Sequence, residues 1–117
     1  MEKFQNLIAG EWTDSGEFQS NVNPSDLSDV IGEYARADAK AAGLAMEAAA
    51  TAFPSWSISS IQQRADILDK VGTAILARKE EFGRLLAREE GKTLPEAVGE
   101  AGRAGQIFKY FAGEALR

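Results

Sequence analysis

From residue 38 to residue 117, apolar residues recur every three or four positions, and the punctuation between them is that of helices. No other feature limits the fold of this chain so strongly. Gly91 ends one such segment, because glycine takes positive φ at little steric cost. Thr93, with Glu96 three residues on, makes a capping box for the next, and Pro95 stands in its first turn. Leu94, Val98, Ala101, Gly105, Phe108 and Ala112 then form one apolar face. Gly99, Arg103, Gln106 and Tyr110 recur at helical steps on another side. A long cation rising from small residues is the arrangement that points most clearly to a binding role.

The upstream helices read in the same way. Asp38 is an N-cap for an Ala-rich helix running to about Phe53, with Ala41, Leu44, Ala45, Ala48 and Ala52 on one face. Pro54 is expected to end it and Trp56 to fold back as a core anchor. Ser60 and Gln63 form a second capping box, opening a helix over 61–78 with Ile61, Ala65, Leu68, Val71 and Ile75 inward. Residues 79–90 present Phe82, Leu85 and Leu86 before Gly91.

Before residue 38 the signals are those of strands. Residues 7–13 and 17–22 flank Asp14-Ser15-Gly16 and read as a β-hairpin. Asn23-Pro24-Ser25-Asp26 is a turn, and residues 30–37 make a third short strand. The expected fold is therefore a short β-hairpin plus a third strand over 1–37, then four mainly amphipathic helical segments over 38–117, in one incomplete domain. The last helix reaches Arg117 with no Gly or Pro to stop it, which predicts a chain that continues.

Composition removes several functions. A net charge of −5 without a basic cluster argues against nucleic acid as a partner. No stretch approaches the roughly 20 apolar residues that span a bilayer, and the first ten residues lack a signal-peptide pattern. The expectation is a cytoplasmic protein with no membrane partner. With no Cys and no His there is no thiol nucleophile, no imidazole base and no usual zinc site. Carboxylates, lysines, hydroxyls and arginines remain.

Each motif built from them has a plain reading beside the functional one. Gly91-Lys92-Thr93 imitates the end of a phosphate-binding loop, but Leu86 occupies the position of the required glycine and no strand precedes it. A helix cap is the favoured reading. Gly99, Gly102 and Gly105 lie within a helix and not between strand and helix, so close packing is favoured over dinucleotide binding. Glu89 and Glu90 stand where the helix dipole disfavours anions; they are a solvated pair, or one of them helps to hold a cation. Arg103 is a surface cation, or a planar fork that grips a carboxylate in two places.

The order of these pieces resembles the N-terminal segment of the aldehyde dehydrogenase superfamily, an α/β family. The matching pieces are Ile8-Ala9-Gly10-Glu11-Trp12, Val22-Asn23-Pro24, and Ala52-Phe53 with Trp56. Residues 64–68, Glu89-Glu90-Gly91-Lys92-Thr93 and Tyr110-Phe111-Ala112-Gly113 complete the series. The run from Gly91 through Ala97, followed by Gly99-Glu100 and Arg103, is most similar to the branch acting on α-ketoglutaric semialdehyde.

The resemblance implies an N-terminal fragment of a longer NAD(P)-dependent enzyme that oxidises an aldehyde to an acid. It implies that the catalytic Cys, the general-base Glu, the oxyanion Asn and the cofactor contacts all lie later in the polypeptide. No catalytic or cofactor-binding residue is therefore assigned here, and the chain alone is expected to be inactive and to bind no cofactor. NAD or NADP belongs to the complete enzyme, whose other partners are a small aldehyde, the remainder of the same protein and further copies of itself in a homo-oligomer. Residues 38–117 become the helical part of a cofactor-binding domain. By the same resemblance Arg103 and Gly99 face a substrate tunnel, and Val22 with Glu89 holds a monovalent cation. The alternative is a non-catalytic helical interaction module that keeps the family fold.

Overall fold

The computed structural model describes every residue, Met1–Arg117. The chain falls into two compact units: Met1–Val22 with Leu27–Ile58, and Asn23–Asp26 with Ser59–Arg117.

In the first unit, β1 (Lys3–Phe4), β5 (Val30–Ala35) and β4 (Phe18–Val22) form a sheet in that order, β1 parallel and β4 antiparallel to β5. Strands β2 (Asn6–Ile8) and β3 (Glu11–Thr13) make a separate antiparallel hairpin. Its turn is Ala9-Gly10, both at positive φ, where a two-residue hairpin needs them. The turn expected at Asp14-Ser15-Gly16 instead connects the hairpin to the larger sheet. There Asp14 accepts from the Gly16 amide at 3.0 Å and from Gln5 at 2.6 Å. Two residues sufficed to reverse the chain earlier, so residues 7–13 are a hairpin and not one strand. Gly32 lets Phe4 lie on the sheet, since a Cβ there would come within 2.6 Å of that ring. Phe4 stacks on Tyr34 at 4.7 Å.

Helix α1 (Ala39–Ser57) opens on Asp38, whose carboxylate accepts from the Ala41 amide at 2.7 Å. It does not end at Pro54. Proline removes one amide donor, and near the helix end the loss falls on the last turn only. Ser55 and Ser57 hydroxyls donate to the carbonyls of Ala52 and Pro54, at 3.1 and 3.0 Å. Trp56 thus stays on the helix, 46% exposed, and is not the expected core anchor. No residue of α1 is buried.

The second unit is built from α2 (Ile61–Ala77), α3 (Lys79–Glu90) and α4 (Leu94–Glu114). Ser60 caps α2 by accepting from the Gln63 amide at 3.1 Å. At the start of α4 the expected box does not close: Thr93 makes no cap bond to the backbone, and its hydroxyl donates to the Glu96 carboxylate at 2.6 Å. An ionised acceptor is the stronger partner for that hydroxyl. Helix α4 packs along both α2 and α3, which scarcely touch each other. The packing uses small residues. A Cβ on Gly72 would come within 2.8 Å of the Gly105 carbonyl oxygen, and one on Gly105 within 3.1 Å of the Gly72 carbonyl oxygen. A Cβ on Gly83 would come within 2.7 Å of Val98 Cα. Ala97 is wholly buried, and Ala65, Ala101 and Ala112 are buried as well. Close backbones replace the large side chains that usually fill a core. The apolar face expected on α4 is accordingly realised through Ala101, Gly105 and Ala112, with Ala97 added and Leu94 left exposed.

Candidate functional site

Helix α4 turns two unlike sides outward and inward. Inward lie Ala97, Ala101, Gly105 and Ala112. Gly99, Arg103, Gln106 and Tyr110 are all exposed, as their spacing implied. A Cβ on Gly99 or Gly102 would meet nothing within 4 Å. Of the three glycines expected to pack, only Gly105 does so within this unit. Arg103 has neither an ion-pair nor a hydrogen-bond partner. Tyr110, 64% exposed, meets Phe111 edge to face at 5.3 Å. The result is a guanidinium with all its donors available, on a helix surface kept low by glycine. Such a fork suits a planar carboxylate.

The start of α4 is fixed by a compact joint. Gly91 is left-handed at φ 67°, and its carbonyl accepts from the Ser25 hydroxyl at 2.7 Å. A Cβ on Gly91 would come within 2.9 Å of Pro24 Cγ. The turn at 23–26 is itself held by the Asn23 side chain, which accepts from the Ser25 amide at 2.9 Å. Lys92 reaches Glu100 at 2.6 Å and Glu90 at 2.5 Å. Hydrogen bonds to Glu100 and then Glu90 hold its ammonium above the ordinary lysine range. Gly91 was legible as a helix end. Its partner Ser25, 66 residues away, left no signal in the sequence.

Glu89 is half-buried in the last turn of α3 and borders an open groove of about 460 Å³. Ile75, Phe82, Leu85, Leu86, Ala101 and Ala104 give the groove its apolar walls, and Glu100 stands with Glu89 at its polar edge. Val22 closes β4, beside an irregular register with β5, and is half-buried. It belongs to the first unit and Glu89 to the second. No group of three or more His, Cys, Asp or Glu side chains is placed to hold a metal ion. No helix is long and apolar enough to cross a membrane.

Sequence comparison places these features in a wider frame. Residues 12–117 match the aldehyde dehydrogenase family. The chain is 37% identical over 113 residues to an alpha-ketoglutarate semialdehyde dehydrogenase of Haloferax volcanii, covering 95% of this chain and 23% of that protein. It is 36% identical over 116 residues to the alpha-ketoglutaric semialdehyde dehydrogenase of Bacillus subtilis, covering 97% and 24%. The fold is similar to that of an NAD-dependent aldehyde dehydrogenase from Sinorhizobium meliloti, with a TM-score of 0.93 and 33% identity over 98% of this chain and 24% of that one. The chain thus spans about a quarter of the length of the relatives it matches. Its strands and its four helices have the α/β fold of those enzymes, and the chain belongs to the aldehyde dehydrogenase family.

Proposed function

We propose that this chain is the N-terminal part of an NAD(P)-dependent aldehyde dehydrogenase that oxidises a carboxylated semialdehyde to the corresponding acid. The observation that carries the reading is Arg103: an unpaired guanidinium beside open positions at Gly99 and Gly102. In this reading α4 forms one wall of the substrate tunnel. Gly99 leaves room for the aldehyde chain, and Arg103 takes the carboxylate at its far end through two parallel N–H···O bonds. A fixed far end orients the reacting carbonyl before chemistry begins. The names of the semialdehyde-oxidising relatives support this substrate class.

The chain supplies no cysteine thiol and no histidine imidazole, and in this reading the nucleophile and the general base come from outside residues 1–117. Hydride acceptance is the chemistry that a nicotinamide cofactor supplies when bound. Residues 38–117 then serve as the helical part of a cofactor-binding domain, and residues 1–37 as its strand-bearing edge. The complete protein is a cytoplasmic homo-oligomer in this reading. The family resemblance assigns Val22 and Glu89 to a monovalent cation in the complete enzyme. Activity indifferent to replacing K⁺ and Na⁺ by a bulky organic cation would count against that site.

The test of the substrate role uses the complete enzyme. Arg103→Ala is expected to lower kcat/KM for a carboxylated semialdehyde by roughly 10- to 100-fold, the worth of a charge-assisted hydrogen-bond pair. A neutral aldehyde of equal length is expected to change little. Equal losses on both would remove Arg103 from recognition.

A further inference from the structure

Beside Arg103, the open side of α4 carries a second polar side chain that has no part in the function proposed above. Gln106 follows Arg103 by three residues, a spacing that sets Cβ atoms about 5–6 Å apart on one helix face. Both side chains are exposed, and neither has a hydrogen-bond or ion-pair partner. The charged groups within reach along α4 are engaged elsewhere. Glu100, one turn before Arg103, is bound by Lys92 at 2.6 Å, and Lys109, one turn after Gln106, is bound to Asp69 at 2.8 Å. A Cβ on Gly99, Gly102 or Gly113 would meet nothing within 4 Å, so no other element of this chain lies over the strip at those points.

The two free groups recognise different things. A guanidinium fork is matched by a carboxylate, which it holds by charge and through two parallel bonds. A neutral amide has no charge to offer and suits an uncharged oxygen, donating to an oxo group through Nε2. One turn apart, the pair fits a carboxylate with an oxo group on the adjoining carbon. The two semialdehyde-oxidising relatives are named for a substrate of this kind, in which a keto group adjoins the carboxylate and the aldehyde stands at the other end. We infer that Gln106 is a second specificity-determining residue: its amide donates to the 2-oxo oxygen of the substrate while Arg103 holds the carboxylate. The inference rests on the substrate role proposed for Arg103 and narrows it, from carboxylated semialdehydes at large to 2-oxo acids that carry a terminal aldehyde.

The experiment compares 2,5-dioxopentanoate with 5-oxopentanoate, which has the same length, carboxylate and aldehyde but lacks the 2-oxo group. In the complete enzyme, Gln106→Met keeps a long unbranched side chain of similar helix propensity and removes the amide. Its kcat/KM for 2,5-dioxopentanoate is expected to fall about tenfold, as for one hydrogen bond lost from a desolvated acceptor. For 5-oxopentanoate it is expected to stay within about twofold of the parent enzyme. A loss of equal size on both substrates overturns the inference, as does no loss on either. Arg103→Ala, measured alongside, is expected to lower both. If it lowers neither, the carboxylate role of Arg103 falls, while the ratio between the two substrates still judges Gln106.

Discussion

Helix α4 uses glycine for opposite purposes on two sides. At Gly105 the missing side chain lets α2 approach until backbone nearly meets backbone, with Gly72 opposite. At Gly99 and Gly102 nothing of this chain approaches at all. Glycine inside a helix costs about 1 kcal/mol relative to alanine. At Gly105 that cost is offset by dispersion contacts along a close crossing. At Gly99 and Gly102 this unit makes no such contact, and in the proposed reading the open side faces the substrate. Arg103 follows Gly102 directly and stands one turn on from Gly99. The packed side therefore explains the fold, and the open side carries the functional proposal.

The contrast is broken most severely from the α2 side. Gly72→Leu would drive a branched side chain into the Gly105 carbonyl and the Lys109 stem. Overpacking against backbone is expected to cost about 3 kcal/mol or more, enough to abolish cooperative unfolding in so small a unit. Denaturant titration followed by circular dichroism reads this directly. Survival of a wild-type transition would mean that α2 and α4 cross less closely than described.

A smaller effect asks whether the ion pairs at Lys92, and not helix packing, place α4. The folded state holds the Lys92 ammonium above its ordinary range, so its contribution is complete below that range. It is lost only as pH rises through the raised value. Lys92→Met is therefore expected to lower Tm slightly, and by a constant amount between about pH 6 and about pH 9. The difference should close only in strongly alkaline solution. A difference that closes near neutral pH would contradict this assignment, and a large loss of Tm would transfer the placing of α4 from the packed glycines to the ion pairs.

Much of this was legible in the sequence because it is local. Asp38 and Ser60 cap where their spacing to Ala41 and Gln63 implies, and Gly91 takes the left-handed conformation that ends α3. Helical periodicity separated Arg103 from the Ala101 side without any structure. What escaped is non-local or a contest between near-equal local options. The parallel pairing of β1 with β5 joins Lys3 to Glu33 and leaves no trace in two residues. Ala9-Gly10 outcompeted Asp14-Ser15-Gly16 as the hairpin turn because Asp14 was engaged by Gln5 and by its own loop. Pro54 did not stop α1, and Trp56 with it remained outside any core. The unequal use of Gly99, Gly102 and Gly105 could not be read from their spacing, since only the partner surface distinguishes them.

The central claim is that α4 has a side completed within this chain and a side that is not. Equilibrium unfolding of Gly105→Ala and Gly99→Ala, measured side by side in the 117-residue chain, tests it most directly. Gly105→Ala is expected to lose about 1 to 3 kcal/mol, because its methyl group meets Leu76 Cγ at 2.7 Å. Gly99→Ala is expected to gain up to about 1 kcal/mol, because its methyl group enters open space and helix propensity improves. Changes of the same sign at both positions would contradict the division of α4 into a packed and an open side.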